Sequence, residues 1–366
     1  MQKIILLGRY NKTEILTGPE KIAKRIFHYL SLRNSEVLFC DFYFKNKPDT
    51  NLFNRFFGYS KAENENNVIC TGIVKLIFIL LKNSPAVIHI VTLENYQIII
   101  FLLKNFLKVK IIITFHGSLL YEIKNSKRKL NWILKLKLRV LEKLAVSKAD
   151  YLVFVSELLK NLFAEYYNLS NKNCTVIYHG IDEIFCIKSS PLVNKTPLKL
   201  IFYNSSKYIE RDLQNIYNTL LKIKNIELEL YVIGDSVTDV VSKNNLIVFN
   251  KDLMSQEDLI NFLEDKNILI KGNVFDSFSQ FAIECMAAGK IVIVSKKVGI
   301  AELIKNNVNA FLYDDYSELI LIIEKLYADK ELFESISKNA REICNQLKWE
   351  SVINNYMSLY ERVQKG

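Results

Sequence analysis

The sequence has few of the residues that interrupt regular structure. Its 366 residues include only 11 glycines and 5 prolines, which argues against long disordered segments. Half of the residues are hydrophobic, enough to bury sizeable cores. At this length, two α/β domains are the expected organisation.

Long apolar runs are also missing. The richest stretches, residues 73–81 and 98–103, are too short or contain a lysine, whereas a membrane-spanning helix needs about 20 apolar residues. The cysteines show no CxxC spacing; they stand at positions 40, 70, 174, 186, 285 and 344. This scatter predicts buried thiols in a reducing cytosol, without a disulfide framework or a zinc site. The sequence has no GxGxxG motif, so nothing indicates NAD.

Positive charge is concentrated in one stretch. The net charge is +10, and residues 101–150 contain twelve basic side chains against three acidic ones. From Leu130 onward, apolar residues recur at helical spacing with basic residues between them. One interpretation is the solvated face of a core-packed helix. The other is a patch that binds anionic lipid, at about 1 kcal/mol per basic residue.

The second interpretation predicts a peripheral association with the inner face of the plasma membrane. Nucleic acid is a less favoured partner, because the aromatic residues are not interleaved with the charges and no standard binding motif is present. The predicted membrane patch consists of Lys127, Arg128, Lys129, Trp132, Lys135, Lys137 and Arg139.

Strand-like and helix-like segments alternate along the chain. The pattern predicts a buried strand over Lys3–Gly8, a helix over Pro19–Leu32 and the next strand over Glu36–Phe42. This alternation predicts doubly wound parallel sheets. The polar, Asn-rich residues 45–67 predict loops. The predicted domains are residues 1–185 and 186–345, followed by a final helix over 346–366.

The stretch DSFSQFAIECMAAG, residues 276–289, carries the clearest chemical signal. It lies between two short apolar runs, which predicts a strand, a loop, a helix and another strand. The loop would lie at the carboxyl end of a parallel strand, where backbone N–H groups at the helix start suit a phosphate. Asp276 and Glu284 are eight residues apart and can face one crevice. A capping box of Ser277 with Gln280 is the structural alternative.

Asp276 and Glu284 match the E-x7-E pattern of the family 4 retaining glycosyltransferases, with Asp in place of the first Glu. The continuation AAGKIVIVSKKVGIAELI also resembles that family, as does TFHG around His116. HGID, residues 179–182, resembles the family's NGVD, with His179 in place of Asn. The resemblance implies an α/β GT-B fold: two Rossmann-like domains facing a central cleft, with the C-terminal helix returning to the first domain.

The resemblance also implies roles for individual residues. In that family the strand-end His and the first carboxylate lie near the donor sugar, which assigns His116 and Asp276 to the sugar. The second carboxylate, here Glu284, holds the ribose hydroxyls.

The donor diphosphate needs partners of its own. Amides at the helix start would bind it, and they belong to Ser277, Phe278 and Ser279. In that family the backbone of a Gly-rich turn approaches the donor phosphates or the acceptor, and Gly18 is what remains of that turn here. The family's usual Arg is replaced here by Ser205, so Lys207 and Arg211 are the candidates that stabilise the leaving group.

The expected reaction is transfer of a hexose from a nucleotide-sugar to a hydroxyl, with retention and without a metal or cofactor. The expected acceptor is a lipid-linked glycan in lipopolysaccharide, O-antigen or capsule synthesis, at the cytoplasmic side. Two alternatives stay open: a non-catalytic protein of the same fold that binds a lipid-linked glycan, and a nucleotide-sugar epimerase.

Overall fold

The computed structural model describes most of the chain. The described residues are 3–10, 18–33, 36–42, 52–62, 65–83, 87–125, 130–187, 196–204, 212–235, 239–272 and 274–365.

Fourteen strands of the described residues form two sheets. The first sheet contains β1 (Ile4–Leu7), β2 (Val37–Phe42), β3 (Tyr59–Ala62), β4 (Glu65–Thr71), β5 (Val87–Ile90), β6 (Lys110–Phe115), β7 (Tyr151–Phe154) and β8 (Cys174–Val176). Its order is β3-β4-β2-β1-β5-β6-β7-β8, and it is parallel except for the β3–β4 pair. The second sheet contains β9 (Leu198–Asn204), β10 (Leu228–Gly234), β11 (Leu246–Lys251), β12 (Ile268–Lys271), β13 (Ile291–Ser295) and β14 (Phe311–Tyr313). Its order is β11-β10-β9-β12-β13-β14, and it is parallel throughout.

Helices connect the strands and cover both sheets. In the first domain they are α1 (Gly18–Ser31), α2 (Leu52–Phe57), α3 (Ile73–Lys82), α4 (Ile98–Leu107), α5 (Leu119–Asn125), α6 (Trp132–Lys148), α7 (Glu157–Tyr166) and α8 (Glu183–Ile187). The later ones are α9 (Leu213–Leu220), α10 (Gln256–Leu263), α11 (Gln280–Ala287), α12 (Tyr316–Ala328), α13 (Lys330–Ala340), α14 (Ile343–Gln346) and α15 (Trp349–Lys365). Short 3₁₀ turns cover Asn95–Gln97 and Gly299–Leu303.

The inner strands are buried on both faces, which explains why their sequences are continuous apolar runs. In β1, Ile5 and Leu7 face the core under α3, α4 and α6. Ile4 and Leu6 point the other way and pack with α1 and α15. The C-terminal helix α15 therefore returns to the first domain, and its Trp349 is fully buried there. The predicted GT-B architecture is confirmed.

Two expectations are wrong in detail. The Asn-rich segment forms more than loops, because α2, β3 and the start of β4 lie within residues 52–67. The β3–β4 hairpin is at the edge of the sheet, where a strand can stay polar and therefore lacks the apolar signal of a buried strand.

The second expectation concerns the cysteines, which were predicted to be thiols. Among the described cysteines, Cys40, Cys70, Cys174 and Cys285 are free, but Cys186 is disulfide-bonded.

Candidate functional site

The carboxyl ends of the two sheets meet at the loop before α11. The Ser277 hydroxyl donates to the carbonyl of His116, which directly follows β6. The Ser156 hydroxyl, which follows β7, donates to the carbonyl of Ser277 at 2.6 Å. The capping box of Ser277 with Gln280, which was the structural alternative, is not formed, because the N-cap of α11 is Ser279, with a φ of 74° and no side-chain cap. Ser277 instead connects the two domains.

Asp276 lies at the start of this loop and is mostly buried. Its Oδ2 is 2.6 Å from the ammonium of Lys271, which ends β12. Its Oδ1 accepts from the backbone N–H of Phe278 at 3.3 Å. One of the three amides predicted to bind diphosphate is thus already bonded to a carboxylate. The Phe278 ring is buried against Tyr178, in a stacked contact.

His116 lies where the sequence predicts, at the end of β6. Its Nε2 is 2.9 Å from the carbonyl oxygen of Val91, and its Nδ1 is 3.2 Å from Nε2 of His179. Burial lowers the pKa of His116 to about 4, although the hydrogen bond to Val91 opposes this shift. Burial and the neighbouring His116 also lower the pKa of His179 well below its usual value. Both rings are therefore neutral near pH 7.

Glu284 is buried, and a lysine from the other domain holds it. Lys21, on α1, forms an ion pair with Oε1 of Glu284, and its ammonium is also 3.4 Å from Asp182. The amide of Gln280 donates to the same Glu284 oxygen at 3.0 Å. Burial opposes the charge of Lys21, yet the two carboxylates raise its pKa above the usual value. The group proposed to hold ribose is thus paired across the domain interface.

Asp182 connects this ion pair to further charged and polar groups. It follows β8 in the segment that leads to the second domain, and it is 5% exposed. Arg25 of α1 pairs with it at 2.7 Å. Gln256 of α10 donates to its other oxygen and accepts from Arg25 at 3.0 Å. A continuous polar network therefore crosses from α1 to α10 and α11.

The remaining predicted residues lie away from these contacts or outside the described residues. Gly18 begins α1 and is exposed, with open space where a Cβ would lie. Lys207 and Arg211 lie outside the described residues, as do the patch residues Lys127, Arg128 and Lys129.

The structure brings His116, Asp276, Ser277 and Glu284 to one interface. Their proposed roles toward a ligand stay predictions.

Three residues that sequence reasoning missed join these at the interface: His179, Lys21 and Asp182. His179 and Asp182 belong to the HGID segment, and the replacement of the usual Asn by His179 was the available signal. Lys21 carried no signal, because a lysine in the first turn of a helix reads as an exposed charge.

Neither a metal centre nor a membrane span is evident in the described part of the chain. No group of three or more His, Cys, Asp or Glu side chains could hold a metal ion there. None of its helices combines the length and the apolar composition needed to cross a bilayer.

Comparison with known proteins gives the same class as the fold and site. Residues 18–184 match the profile of Glycosyltransferase Family 4, and residues 198–343 match that of Glycosyl transferases group 1. The fold and the two matches define a glycosyltransferase of the GT-B type. The chain belongs to the family 4 glycosyltransferases, as the E-x7-E resemblance implied.

Individual relatives agree with this assignment. An uncharacterised glycosyltransferase of Methanocaldococcus jannaschii is 26% identical over 275 residues, which cover 72% of this chain and 71% of the relative. The lipopolysaccharide 1,2-N-acetylglucosaminetransferase of Salmonella typhimurium is 30% identical over 92 residues, or 24% of each chain. Anabaena HepE, solved with UDP and glucose, has a TM-score of 0.74 at 16% identity, covering 99% of this chain and 100% of its own. The last likeness shows the shared fold.

Proposed function

We propose that this glycosyltransferase moves a hexose from a UDP-sugar to a hydroxyl of a lipid-linked glycan, with retention and without a metal ion. The observation that carries the proposal is the position of Asp276 and Glu284 on either side of the α11 N-terminus, in a loop and helix that contact His116 and Lys21 of the first domain. The UDP preference rests on the fold shared with HepE, which was solved with UDP. The glycan acceptor rests on the similarity to a lipopolysaccharide glycosyltransferase.

In this proposal the donor takes over contacts that now join the domains. Glu284 exchanges the ammonium of Lys21 for the ribose hydroxyls, which also donate hydrogen bonds to a carboxylate. The diphosphate lies at the α11 N-terminus, where backbone amides and the helix dipole favour negative charge. Lys207 and Arg211 stabilise the leaving group. His116 and Asp276 position the sugar, and a leaving phosphate oxygen takes the acceptor proton.

A thermal-shift screen with UDP, GDP, ADP, CMP and dTDP sugars tests the donor class. We expect UDP-sugars to raise the melting temperature, because a ligand that binds only the folded protein stabilises it. Glu284→Ala should abolish the shift. Arg25→Ala is the matched control, since Arg25 belongs to the same interface but does not contact Glu284. A folded protein that no nucleotide stabilises would favour the non-catalytic alternative.

An apolar and basic surface on the first domain supports a membrane-bound acceptor. Helices α2, α3, α4 and α6 pack side by side, and α3, α4 and α6 cover the sheet face opposite α1. Large apolar side chains on these four helices are exposed to solvent; they are Phe53, Phe56, Phe57, Val74, Phe78, Leu81, Leu102, Phe106, Trp132, Ile133, Leu136 and Val140. Exposed cations stand among them, including Lys82, Lys108, Lys137, Arg139 and Lys143. Amphipathic surfaces of this kind suit the interface of an anionic bilayer.

Sedimentation with lipid vesicles tests this surface. We expect binding to phosphatidylglycerol-containing vesicles and little to pure phosphatidylcholine. Lys137→Gln with Arg139→Gln should weaken binding by about 2 kcal/mol, or about 30-fold. Trp132→Ala with Phe106→Ala should weaken it as well, whereas Leu321→Ala, at an exposed apolar position of the second domain, should not. Equal losses in all three variants would contradict the assignment.

A further inference from the structure

Two histidines and a glutamine form a buried polar chain at the domain interface. The chain runs from the carbonyl of Val91 through His116 to His179. His179 is 7% exposed. The ring of His179 also faces the side-chain amide of Gln280. This contact raises the pKa of His179 against the larger, opposite effect of burial, as expected when the ring faces the amide oxygen. The first two histidine contacts use three of the four ring nitrogens.

The direction of each hydrogen bond follows from the first one. A carbonyl oxygen only accepts, so Nε2 of His116 must carry the proton. In the neutral ring, Nδ1 of His116 then carries a lone pair, and Nε2 of His179 must donate to it. The remaining nitrogen, Nδ1 of His179, is therefore a lone-pair acceptor.

Gln280 also presents an acceptor. Its Nε2 donates to the carbonyl of Gly180 and to Glu284, each at 3.0 Å. These two acceptors fix the orientation of the amide, since a flipped amide would place oxygen against oxygen. Nδ1 of His179 and Oε1 of Gln280 are both buried, and neither has a hydrogen-bond partner among the described residues. Buried polar atoms are normally paired, so this pair of acceptors lacks a donor.

We propose that His179 and Gln280 form a subsite that accepts hydrogen bonds from the hydroxyls of the donor sugar. The proposal rests on the proposed function. Two neutral acceptors select a neutral O–H donor and disfavour a phosphate, which has only lone pairs to offer. The subsite adjoins His116 and Asp276, at the sugar end of the candidate site, whereas Glu284 is at the ribose end.

Ligand access follows from where the two residues stand. His179 belongs to the segment after β8 of the first domain, and Gln280 begins α11 of the second. Opening of the interface exposes both atoms at once, and it also separates Lys21 from Glu284. The donor can thus occupy the ribose end and the sugar end in one step. His179 is a positioning residue and specificity determinant in this account.

The four histidines of the chain allow a direct test with ¹⁵N-histidine-labelled full-length protein. The ring-nitrogen NMR spectrum should show Nε2–H tautomers for His116 and His179, with an unprotonated Nδ1 at His179. His179→Asn assigns the resonance, and His28→Asn, at an exposed position on α1, is the control. The ligands are UDP, UDP-glucose, UDP-galactose and UDP-N-acetylglucosamine.

The expected result is that a UDP-sugar moves the Nδ1 resonance of His179 upfield, as a new hydrogen bond requires, while UDP alone does not. In binding titrations, His179→Asn should lower the affinity for that UDP-sugar about tenfold and leave the affinity for UDP unchanged. An unmoved resonance with bound UDP-sugar, an Nδ1–H tautomer, or a response to UDP alone would overturn the subsite. Absence of any nucleotide binding would overturn the proposed function and the subsite together.

Discussion

Removing the ammonium of Lys21 should destabilise the protein and yet strengthen nucleotide binding. In the folded protein this ammonium lies between Glu284 and Asp182. The side chain of Lys21 is 17% exposed, and those of Glu284 and Asp182 are 4% and 7% exposed. In Lys21→Ala, Glu284 keeps only the hydrogen bond from Gln280, so its buried charge is undercompensated. Ribose hydroxyls would then bind to a carboxylate that no longer has to leave an ion pair.

The magnitude follows from the partners that remain. Breaking a buried ion pair costs about 3–5 kcal/mol. The lower end applies here, because Arg25 still pairs with Asp182 and Gln280 with Glu284. With an unfolding entropy of about 2 cal/mol/K per residue, about 3 kcal/mol lowers the melting temperature of a 366-residue chain by about 4 °C. The affinity for UDP should rise about tenfold, which is about 1.4 kcal/mol.

Thermal denaturation and calorimetric titration with UDP measure the two effects in the same variants. Arg25→Ala should lower the melting temperature without changing the affinity, because Arg25 pairs with Asp182 and does not contact Glu284. Glu284→Ala should lower both. If Lys21→Ala weakens UDP binding as much as Glu284→Ala does, Lys21 supports the nucleotide instead of competing with it, and the reasoning is refuted.

Two further predictions concern the packing around the first sheet. Burial, and secondarily His116, lower the pKa of His89 to about 3 from an ordinary 6.5. Below about pH 6.5 the unfolded chain therefore binds a proton at His89, whereas the folded protein keeps this ring neutral. His89 does not change the free energy of unfolding above about pH 6.5, and it lowers that free energy by about 1.4 kcal/mol per pH unit below it. Urea unfolding at several pH values should show a shallower acid slope in His89→Gln, and an unchanged slope would contradict the assignment. A Cβ at Gly180 would lie 2.3 Å from the ring of Trp349, so Gly180→Ala should cost about 1–3 kcal/mol by overpacking. Gly18→Ala, with nothing within 4 Å, should stay within about 0.5 kcal/mol, and equal losses in the two variants would show that Trp349 is not held as described.

The fold was predictable where burial leaves a simple pattern. Strands such as Lys110–Phe115 are covered on both faces by helices, and their apolar runs therefore follow from the architecture. Helix α1 begins next to the predicted Pro19 and carries a regular apolar face. The β3–β4 hairpin was not predictable in this way, because it lies at the sheet edge and its residues need not be apolar.

The candidate site was likewise predictable only in part. Asp276 and Glu284 are close in sequence, and their spacing across one loop and helix start made them visible. The partners that hold them are distant: 263 residues separate Lys21 from Glu284, and 161 separate His116 from Ser277. Such contacts depend on how two domains meet, and nothing in the local composition around Lys21 encodes that orientation.

The contacts that close this interface come from the same residues that are proposed to bind the donor. Ser277 is bonded to His116, Glu284 to Lys21, and Gln280 to Gly180. Donor binding and domain closure are therefore coupled equilibria, because a ligand must offer each of these groups a replacement partner. A variant at one of these three contacts changes the free energy of the closed, empty protein as well as that of the complex. A loss of activity alone cannot distinguish the two, whereas stability and UDP affinity measured on one variant can.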